Sequence, residues 1–215
     1  MAIDAVQWKQ ITDSGVMGWA LSAGYPDMLV KLPNLTVRPD SDSIASHHNL
    51  TPGQQGIADS HEAFRSIGLE LRVIDRAVLQ GCEKVCDLNV PQDLGAFDLV
   101  VDPGTSEHCF NIPQAWVNLA SAVKVGGFIS QALPLAMFNH GYWNVNPVAM
   151  LDFLEGNGFK IEQACLRNGA ETFDLMKVGR RRLCDVPDGA VTCVLAQRIA
   201  GVPWFAYPQQ KLPSI

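Results

Sequence analysis

The stretch that decides the fold is Phe97-Asp-Leu-Val-Val-Asp102-Pro-Gly-Thr-Ser-Glu107-His108. It begins with a short apolar run that stops on an acid, and the Pro-Gly that follows predicts a turn. The same pattern occurs earlier at Glu70 to Asp75 and, in a shorter form, at Lys84 to Asp87. We therefore expect three strands that end on Asp75, Asp87 and Asp102. Ligands of open parallel sheets bind at the carboxyl ends of the strands, so these acids predict a small-molecule site.

Helical patterns separate the predicted strands. Asn111 to Lys124 has an amphipathic pattern, and Gly126-Gly127 ends it before the next strand. Asp59 is typical of an N-cap, with Glu62 placed as in a capping box. The alternation predicts an α/β fold with a mostly parallel sheet, and the last two strands, with no helix pattern between them, predict an antiparallel C-terminal hairpin. The remaining predicted elements are strands at Val16 to Leu21, Phe128 to Leu133, Lys160 to Leu166 and Val191 to Ile199, and helices at Asp59 to Ile67 and Pro147 to Asn157.

The composition predicts one domain over residues 1–215, because 215 residues with 47% apolar content suffice for one sizeable core. A polar stretch rich in proline, Lys31 to Gly53, predicts a loop or lid. The net charge of −6 argues against non-specific nucleic-acid binding. Lys177 with Arg180, Arg181 and Arg182 is the one dense basic group, and we interpret it as a solvated loop or helix end rather than a phosphate site.

The six cysteines indicate a cytoplasmic protein, because they form no CxxC pair and follow no secretory leader. No apolar run approaches the roughly 20 residues of a membrane helix, so we expect no membrane partner. A homo-oligomer is left open.

The run Phe97 to His108 resembles the fourth-strand motif of class I S-adenosylmethionine (SAM) methyltransferases that act on small molecules. Two further segments are similar to later parts of that family: Val123-Lys-Val-Gly-Gly-Phe-Ile129, and Gly156-Asn-Gly-Phe-Lys-Ile161. The resemblance extends from about Leu69 to Ile199. It implies a Rossmann-like sheet, SAM as the cofactor, and transfer of a methyl group to an oxygen or nitrogen of a small acceptor, with carbohydrates and nucleotides as candidates.

The resemblance also implies roles for residues at the strand ends. Asp75 would accept hydrogen bonds from the ribose hydroxyls of SAM, which suits an ionised carboxylate. Asp87 would meet the adenine amino group while Leu88 packs on the ring, and Asp102 would border the same site. The alternative for each acid is a cap of a helix or turn.

The glycine-rich loop after the first strand departs from the family. The family has an acid followed by Gly-x-Gly-x-Gly, whereas here only Gly24 occupies a matching position, and Pro26 lacks an N–H donor. Either Asp27 or the lid supplies contacts to SAM, or SAM binding has been lost. The second case corresponds to a non-catalytic binding or scaffold protein with a methyltransferase fold.

Glu107 and His108 follow the turn after the fourth strand and are predicted beside the transferred methyl group. A histidine with a pKa near 6.5 can act as a base at neutral pH, although His108 could instead cap the next helix. The segment Asn139-His140-Gly-Tyr142-Trp143-Asn144 offers hydrogen bonds and stacking faces. We expect Asn139, Tyr142 and Trp143 to bind the acceptor, with His140 as a second candidate base. The alternative is a rigid aromatic turn that closes the core.

Other functional classes find less support. Asp102-Pro-Gly-Thr lacks the second proline and the aromatic residue of the Asp-Pro-Pro-Tyr motif of DNA amino-methyltransferases. The histidines, including His47, His48 and His61 with Glu62, lack compact metal-ligand spacing, so the sequence predicts no metal site. No Gly-x-Ser-x-Gly elbow is present, which argues against a hydrolase of that type.

Overall fold

A computed structural model describes residues 1–54, 56–169, 171–178, 182–202 and 205–209. The strands are β1 Ala2–Asp4, β2 Gly18–Ala23, β3 Asp27–Leu29, β4 Leu69–Asp75, β5 Lys84–Val85, β6 Phe97–Asp102, β7 Val123–Ala136, β8 Phe159–Asn168, β9 Glu171–Asp174 and β10 Ala190–Arg198. The helices are α1 Ala5–Asp13, α2 Ser41–His47, α3 Ser60–Ser66, α4 Ile112–Ser121, α5 Pro147–Gly156 and α6 Leu175–Val178, with a short 3-10 helix at Ser106–His108.

Eight strands form one sheet in the order β5-β4-β2-β6-β7-β10-β8-β9, and β1 pairs with β3 separately. Strands β5, β4, β2, β6 and β7 run parallel to one another, whereas β10 is antiparallel to both β7 and β8. The predicted Rossmann-like, mostly parallel sheet with an antiparallel C-terminal hairpin is confirmed. In sequence, β9 and α6 come between the two hairpin strands.

The position of the ligand edge follows from this order. The chain builds β2, β4 and β5 outward in one direction, then returns to place β6 on the other side of β2. The strand order therefore reverses between β2 and β6, and such a switch point opens a crevice at the carboxyl ends of the strands.

Both faces of the sheet are covered, which explains the nearly continuous apolar character of β6. Leu99 and Val101 belong to one hydrophobic cluster with side chains of α1 and α3. Val100, which points to the opposite face as strand periodicity requires, belongs to the other cluster, with α4 and α5. The ends of β6 are thereby held rigidly from both sides.

Two details of the predicted elements were wrong. Helix α4 ends at Ser121, and Val123 and Lys124 already belong to β7, because Val123 pairs with Phe97 before a register shift accommodates the two glycines. Asp59 does cap α3 by accepting from the N–H of Glu62 at 2.9 Å. The reciprocal bond of a capping box is missing, since the Asp59 N–H donates to the Thr36 carbonyl and the Glu62 carboxylate binds Thr36.

The segment predicted as a polar loop or lid contains helix α2, which the sequence analysis missed because Ile44 and Ala45 are its buried apolar residues in an otherwise polar run. The amino-terminal β1 and α1 were also not predicted. Asp4 caps α1 by accepting from Val6 and Gln7, and β1 lies parallel to β3. Within the described ranges, no helix has the length and apolar character that crossing a bilayer requires. Of the basic group, Arg180 and Arg181 lie outside the described residues, and Lys177 is in α6.

Candidate functional site

A cavity of about 280 Å³ opens at the carboxyl ends of β4 and β6, on the predicted ligand edge. It brings together Asp75, Leu88 and His108, three of the residues that the sequence analysis selected. The full lining comprises Met1, Ile74, Asp75, Arg76, Cys86, Leu88, Thr105, His108 and Cys109. Larger cavities lie elsewhere on the surface, but they contain none of the predicted site residues. The residues that line this cavity, rather than its volume, therefore identify it as the candidate site.

Asp75 and Leu88 both line the cavity. Asp75 ends β4 and is half-buried, with Oδ1 accepting from the Arg76 N–H at 2.6 Å. Leu88 is buried and presents its side chain to the same space. The lining thus offers a carboxylate and an apolar wall side by side.

Gly24 forms the turn after β2, and the side chain of Met1 covers it. Its φ of +79° lies in the left-handed region that favours glycine. A Cβ at this position would overlap the Met1 side chain, and the Thr105 hydroxyl contacts the Met1 sulfur. Backbone bonds hold Met1 there, with the Asp27 N–H donating to the Met1 carbonyl at 3.1 Å. A ligand can reach the backbone of this turn only after Met1 moves.

Asp27, a predicted contact to SAM, is bound by two other side chains in the structure. Its carboxylate accepts from the Arg38 Nη1 at 3.1 Å and lies 3.0 Å from the His48 Nε2. Arg38 is buried and also binds Asp40, and the hydrogen bond from Arg38 helps to hold the pKa of Asp40 below its ordinary value. Asp27 does not line the cavity; it belongs to an ion-pair network under the segment that contains α2.

Asp102, also predicted as a cofactor ligand, is not among the residues that line the cavity. It is fully buried, and its carboxylate accepts from the Thr105 N–H, the Ser106 N–H and the Ser106 hydroxyl. Burial raises the pKa of Asp102 although these hydrogen bonds oppose the shift. The residue therefore shapes the turn after β6, as the capping alternative described.

The Asp87 carboxylate is also engaged locally, by hydrogen bonds from Asn89. It accepts from the N–H of Asn89 at 2.9 Å and from the Asn89 side-chain amide at 2.8 Å, and these bonds lower the pKa of Asp87. It is absent from the lining of the cavity, whereas its neighbour Leu88 is present. Its observed geometry is that of an Asx turn.

Glu107, His108 and His140 form one cluster beside the cavity. The Nε2 atoms of both histidines lie 3.8 Å from Oε1 of Glu107, and the two imidazole rings are 5.1 Å apart in an edge-to-face arrangement. His108 and His140 are about half exposed, whereas Glu107 is 1% exposed. Sequence reasoning selected all three residues but did not predict that they meet, because His140 comes from a distant loop.

The loop that carries His140 docks closely on the Glu107 turn. The N–H of Tyr142 donates to the Glu107 carbonyl at 3.0 Å, and a Cβ on Gly141 would lie 3.0 Å from that same carbonyl oxygen and from Cγ of Glu107. Glycine at this position thus permits the close approach that brings His140 to Glu107.

Burial shifts the pKa values of both Glu107 and His108. Burial, and to a lesser extent the charge of Asp102, raise the pKa of Glu107 to about 8. Burial, followed by the charge of His140, lowers the pKa of His108. At neutral pH, in the absence of other ligands, Glu107 is therefore largely protonated and the His108 imidazole is largely neutral.

Aromatic side chains line the outer rim of the cluster. Tyr142 is 67% exposed, and its ring packs edge-to-face on Phe110 at 5.6 Å. Trp143 lies 6.1 Å from Phe110 and donates from Nε1 to the Cys109 carbonyl at 3.1 Å. Asn139 is exposed, with a positive φ of 61°. Phe110 was not predicted, although an exposed aromatic directly after the Glu-His pair is a usable signal.

No family model matches the chain. No curated protein matches it either. Solved structures similar to it include TehB from Haemophilus influenzae, at 10% identity over 84% of this chain with a TM-score of 0.41. BH2331 from Bacillus halodurans, a protein assigned as a methyltransferase, is 12% identical over 90% of this chain with a TM-score of 0.49. The methyltransferase (CMeT) domain of the citrinin polyketide synthase is 10% identical over 92% with a TM-score of 0.46.

The chain spans 57% of the TehB chain and 53% of the CMeT chain, but 99% of BH2331. The strand order and registers described above, rather than these likenesses, carry the fold.

Proposed function

We propose that this chain is a SAM-dependent methyltransferase that transfers a methyl group to an oxygen or nitrogen of a small acceptor. Carbohydrates and nucleotides are the candidate acceptor classes. One observation carries the proposal: a cavity with an acid and an apolar wall adjoins a Glu-His-His cluster at the strand ends where a class I methyltransferase has its site. Fold alone would not support it, because one fold hosts many functions.

The cavity residues suit the nucleoside part of SAM. Asp75 would accept hydrogen bonds from the ribose hydroxyls, and Leu88 would pack on the adenine. The Gly24 turn would face the methionine part, which requires Met1 to leave its position over the turn. When bound, SAM supplies an electrophilic methyl group, so the chain's own residues need only position the acceptor and remove a proton.

His108 is the residue that would remove this proton. It lines the cavity, and its lowered pKa keeps the imidazole neutral, and so able to accept a proton, at neutral pH. His140 lies on the other side of Glu107 and is the second candidate base.

The acceptor would bind against the rings of Tyr142, Trp143 and Phe110. Their exposed rings offer stacking faces for a planar or sugar-like acceptor, and the Asn139 side chain adds hydrogen-bonding groups. Since all six cysteines are free thiols in the described part of the chain, a cytoplasmic location belongs to the same proposal.

Calorimetry with SAM and with its demethylated product tests the cofactor half of the proposal. We expect saturable binding that Asp75→Ala weakens by about 10-fold or more, as loss of a charge-assisted hydrogen bond of roughly 1.5–3 kcal/mol requires. Asp13→Ala is the matched control, because Asp13 ends α1 beside the opposite edge of the sheet and forms an exposed ion pair with Lys9. Absence of binding at millimolar SAM would sink the proposal.

Methyl transfer itself is measured with methyl-labelled SAM and a panel of hydroxyl and amine acceptors. His108→Ala should lower the rate by roughly 10²–10⁴-fold, the usual contribution of a positioned base. An unchanged rate in this variant would remove His108 from the reaction.

A non-catalytic binding protein with the same fold is the second candidate function. Two observations favour it. The Met1 side chain covers the Gly24 turn, and Asp27 and Asp102 are bound by Arg38 and Ser106 instead of lining the cavity. A protein of this kind would keep its function in Asp75→Ala and His108→Ala, whereas a methyltransferase would lose cofactor affinity or turnover.

A further inference from the structure

The cluster of Glu107, His108 and His140 has the composition of a metal site. One ligand atom from each residue lies within 4.8 Å of the others, and both histidine nitrogens lie 3.8 Å from the same carboxylate oxygen. Metal–ligand bonds of about 2.0–2.2 Å let two ligands of one ion stand up to roughly 4.2 Å apart. The two carboxylate–imidazole separations already meet this limit, and rotation of the half-exposed imidazoles is all that the third separation requires.

Glu107 provides a second, independent indication of a missing ligand. Its side chain is 1% exposed, its Oε1 faces both imidazoles, and its Oε2 has no hydrogen-bond partner among the residues that the structure describes. Buried carboxylates are normally paired, hydrogen-bonded or bound to a metal, because an unsatisfied buried oxygen is costly. Asp102, buried nearby, adds a second acidic group to the same turn. A cation at the cluster would satisfy both groups electrostatically.

The pair His47 and His48 lies beside a carboxylate, Asp27, that already has its partners. His47 and His48 have rings 4.9 Å apart, and His48 lies 3.0 Å from Asp27. There, however, Arg38 already donates to Asp27 at 3.1 Å and supplies the positive charge. No such guanidinium contacts Glu107 within the described residues. The Asp27 carboxylate therefore has a guanidinium partner, whereas the Glu107 carboxylate does not.

We propose that Glu107, His108 and His140 bind a divalent transition-metal ion such as Zn²⁺, Mn²⁺ or Fe²⁺. Two imidazole nitrogens and one carboxylate select this class over Mg²⁺ and Ca²⁺, which prefer oxygen ligands. Both histidines are about half exposed, so the remaining coordination positions face the aromatic rim. The site itself does not depend on methyl transfer.

Its use rests on the proposed function. An acceptor hydroxyl bound to the ion would become more acidic, as a metal-bound water does, and would release its proton to solvent water at the half-exposed face of the cluster. In the metal-bound form, His108 and His140 therefore hold the ion, and this lowering of the acceptor's pKa replaces the base role of His108. The inference thus favours acceptors that carry a coordinating hydroxyl group.

Metal binding is tested on the full chain without an affinity tag, by equilibrium dialysis with Zn²⁺ and by the visible absorption of bound Co²⁺. We expect one equivalent per chain, with an affinity that His140→Ala weakens by about 100-fold or more, because loss of an outer-shell partner alone costs about 10- to 100-fold. Glu107→Gln should weaken it similarly and change the Co²⁺ spectrum. His47→Ala, from the second histidine pair, is the matched control and should bind as the unchanged chain does.

The outcomes separate this inference from the proposed function. Less than one equivalent of Zn²⁺, or binding that survives His108→Ala together with His140→Ala, overturns the metal site. SAM binding is measured on the same samples by calorimetry. Stoichiometric metal binding without SAM binding supports the metal site and contradicts the methyltransferase proposal. SAM binding without metal binding supports the methyltransferase proposal and contradicts the metal site.

Discussion

Two buried glutamates, Glu83 directly before β5 and Glu107 in the turn after β6, have opposite electrostatic environments. Glu83, 7% exposed, accepts from the backbone N–H groups of Gln80 at 2.8 Å and Cys82 at 3.1 Å. Glu107, 1% exposed, has two imidazoles at 3.8 Å, and its Oε2 has no hydrogen-bond partner in the described part of the chain. A carboxylate surrounded by donors belongs to the structure of its own turn, whereas one without them is available to a ligand.

The pKa values follow the same division. Burial alone would raise the pKa of Glu83, but its backbone hydrogen bonds outweigh burial and the pKa lies below the ordinary value of 4.5. At Glu107 burial prevails, helped by Asp102, and the pKa rises to about 8. At Glu83 hydrogen bonding to the charged form therefore decides the sign of the pKa shift, whereas at Glu107 burial decides it.

Glu107→Gln should produce the largest change in the free energy of unfolding. A raised folded pKa gives stability that is complete below the unfolded value of 4.5 and is lost as the pH rises through about 8. The variant, which cannot ionise, should therefore be more stable than the unchanged chain at pH 9, by an amount on the order of a few kcal/mol, and about equally stable at pH 4. Urea unfolding in the presence of EDTA measures this. A constant difference at all pH values would contradict it.

Glu83→Gln should act in the opposite direction and less strongly. The amide cannot accept from both N–H groups without turning its own NH₂ towards one of them, so we expect a loss of about 1–3 kcal/mol at pH 7. Because the folded pKa is lowered, this loss should shrink as the pH falls from above 4.5 through the folded pKa. Denaturant unfolding of Glu83→Gln and of exposed Glu171→Gln across pH gives the comparison, and equal losses at pH 7 would refute the assignment.

Asp102→Asn should lower the pKa of Glu107, since the charge of Asp102 is the second cause of its elevation. Burial, the first cause, remains, so the pKa should stay above its ordinary value. Carboxyl NMR of Glu107 as a function of pH measures the shift. An unchanged titration would mean that Asp102 is itself protonated throughout that range.

His140→Ala should have the smallest of these effects, a rise in the pKa of His108. Burial of His108 is the main cause of its lowered pKa, and the charge of His140 is the second. Imidazole NMR in metal-free solution follows the titration, with His47→Ala as the variant that should leave His108 unchanged. A fall in the pKa would show that His140 assists protonation of His108.

Local patterns predicted the fold well because they report on local physics. An apolar run that stops on an acid and a Pro-Gly turn identifies β6, and the N-cap pattern at Asp59 identifies α3. The same reasoning failed at Val123 and Lys124, where pairing with β6 overrides helical periodicity. It also missed α2, which has too few apolar residues to produce a period.

The candidate site was predicted only in part. Strand ends can be read from the chain, so Asp75, Leu88 and His108 were selected and lie together. Asp102 was selected by the same rule, and Asp27 as a possible contact to SAM in the altered glycine-rich loop, but in the structure they bind Ser106 and Arg38. A carboxylate at a strand end binds a ligand or caps a turn according to which donors surround it, and a linear pattern does not contain that information.

By itself, the sequence determined that a strand, a turn and the pair Glu107-His108 follow one another, and that aromatic residues accompany His140. Only the tertiary structure decided that His140 meets Glu107, through the close approach at Gly141 and the hydrogen bond from Tyr142. The physical reason is that burial, charge and ligand geometry depend on groups from distant parts of the chain, which become neighbours only when the sheet and its loops are assembled.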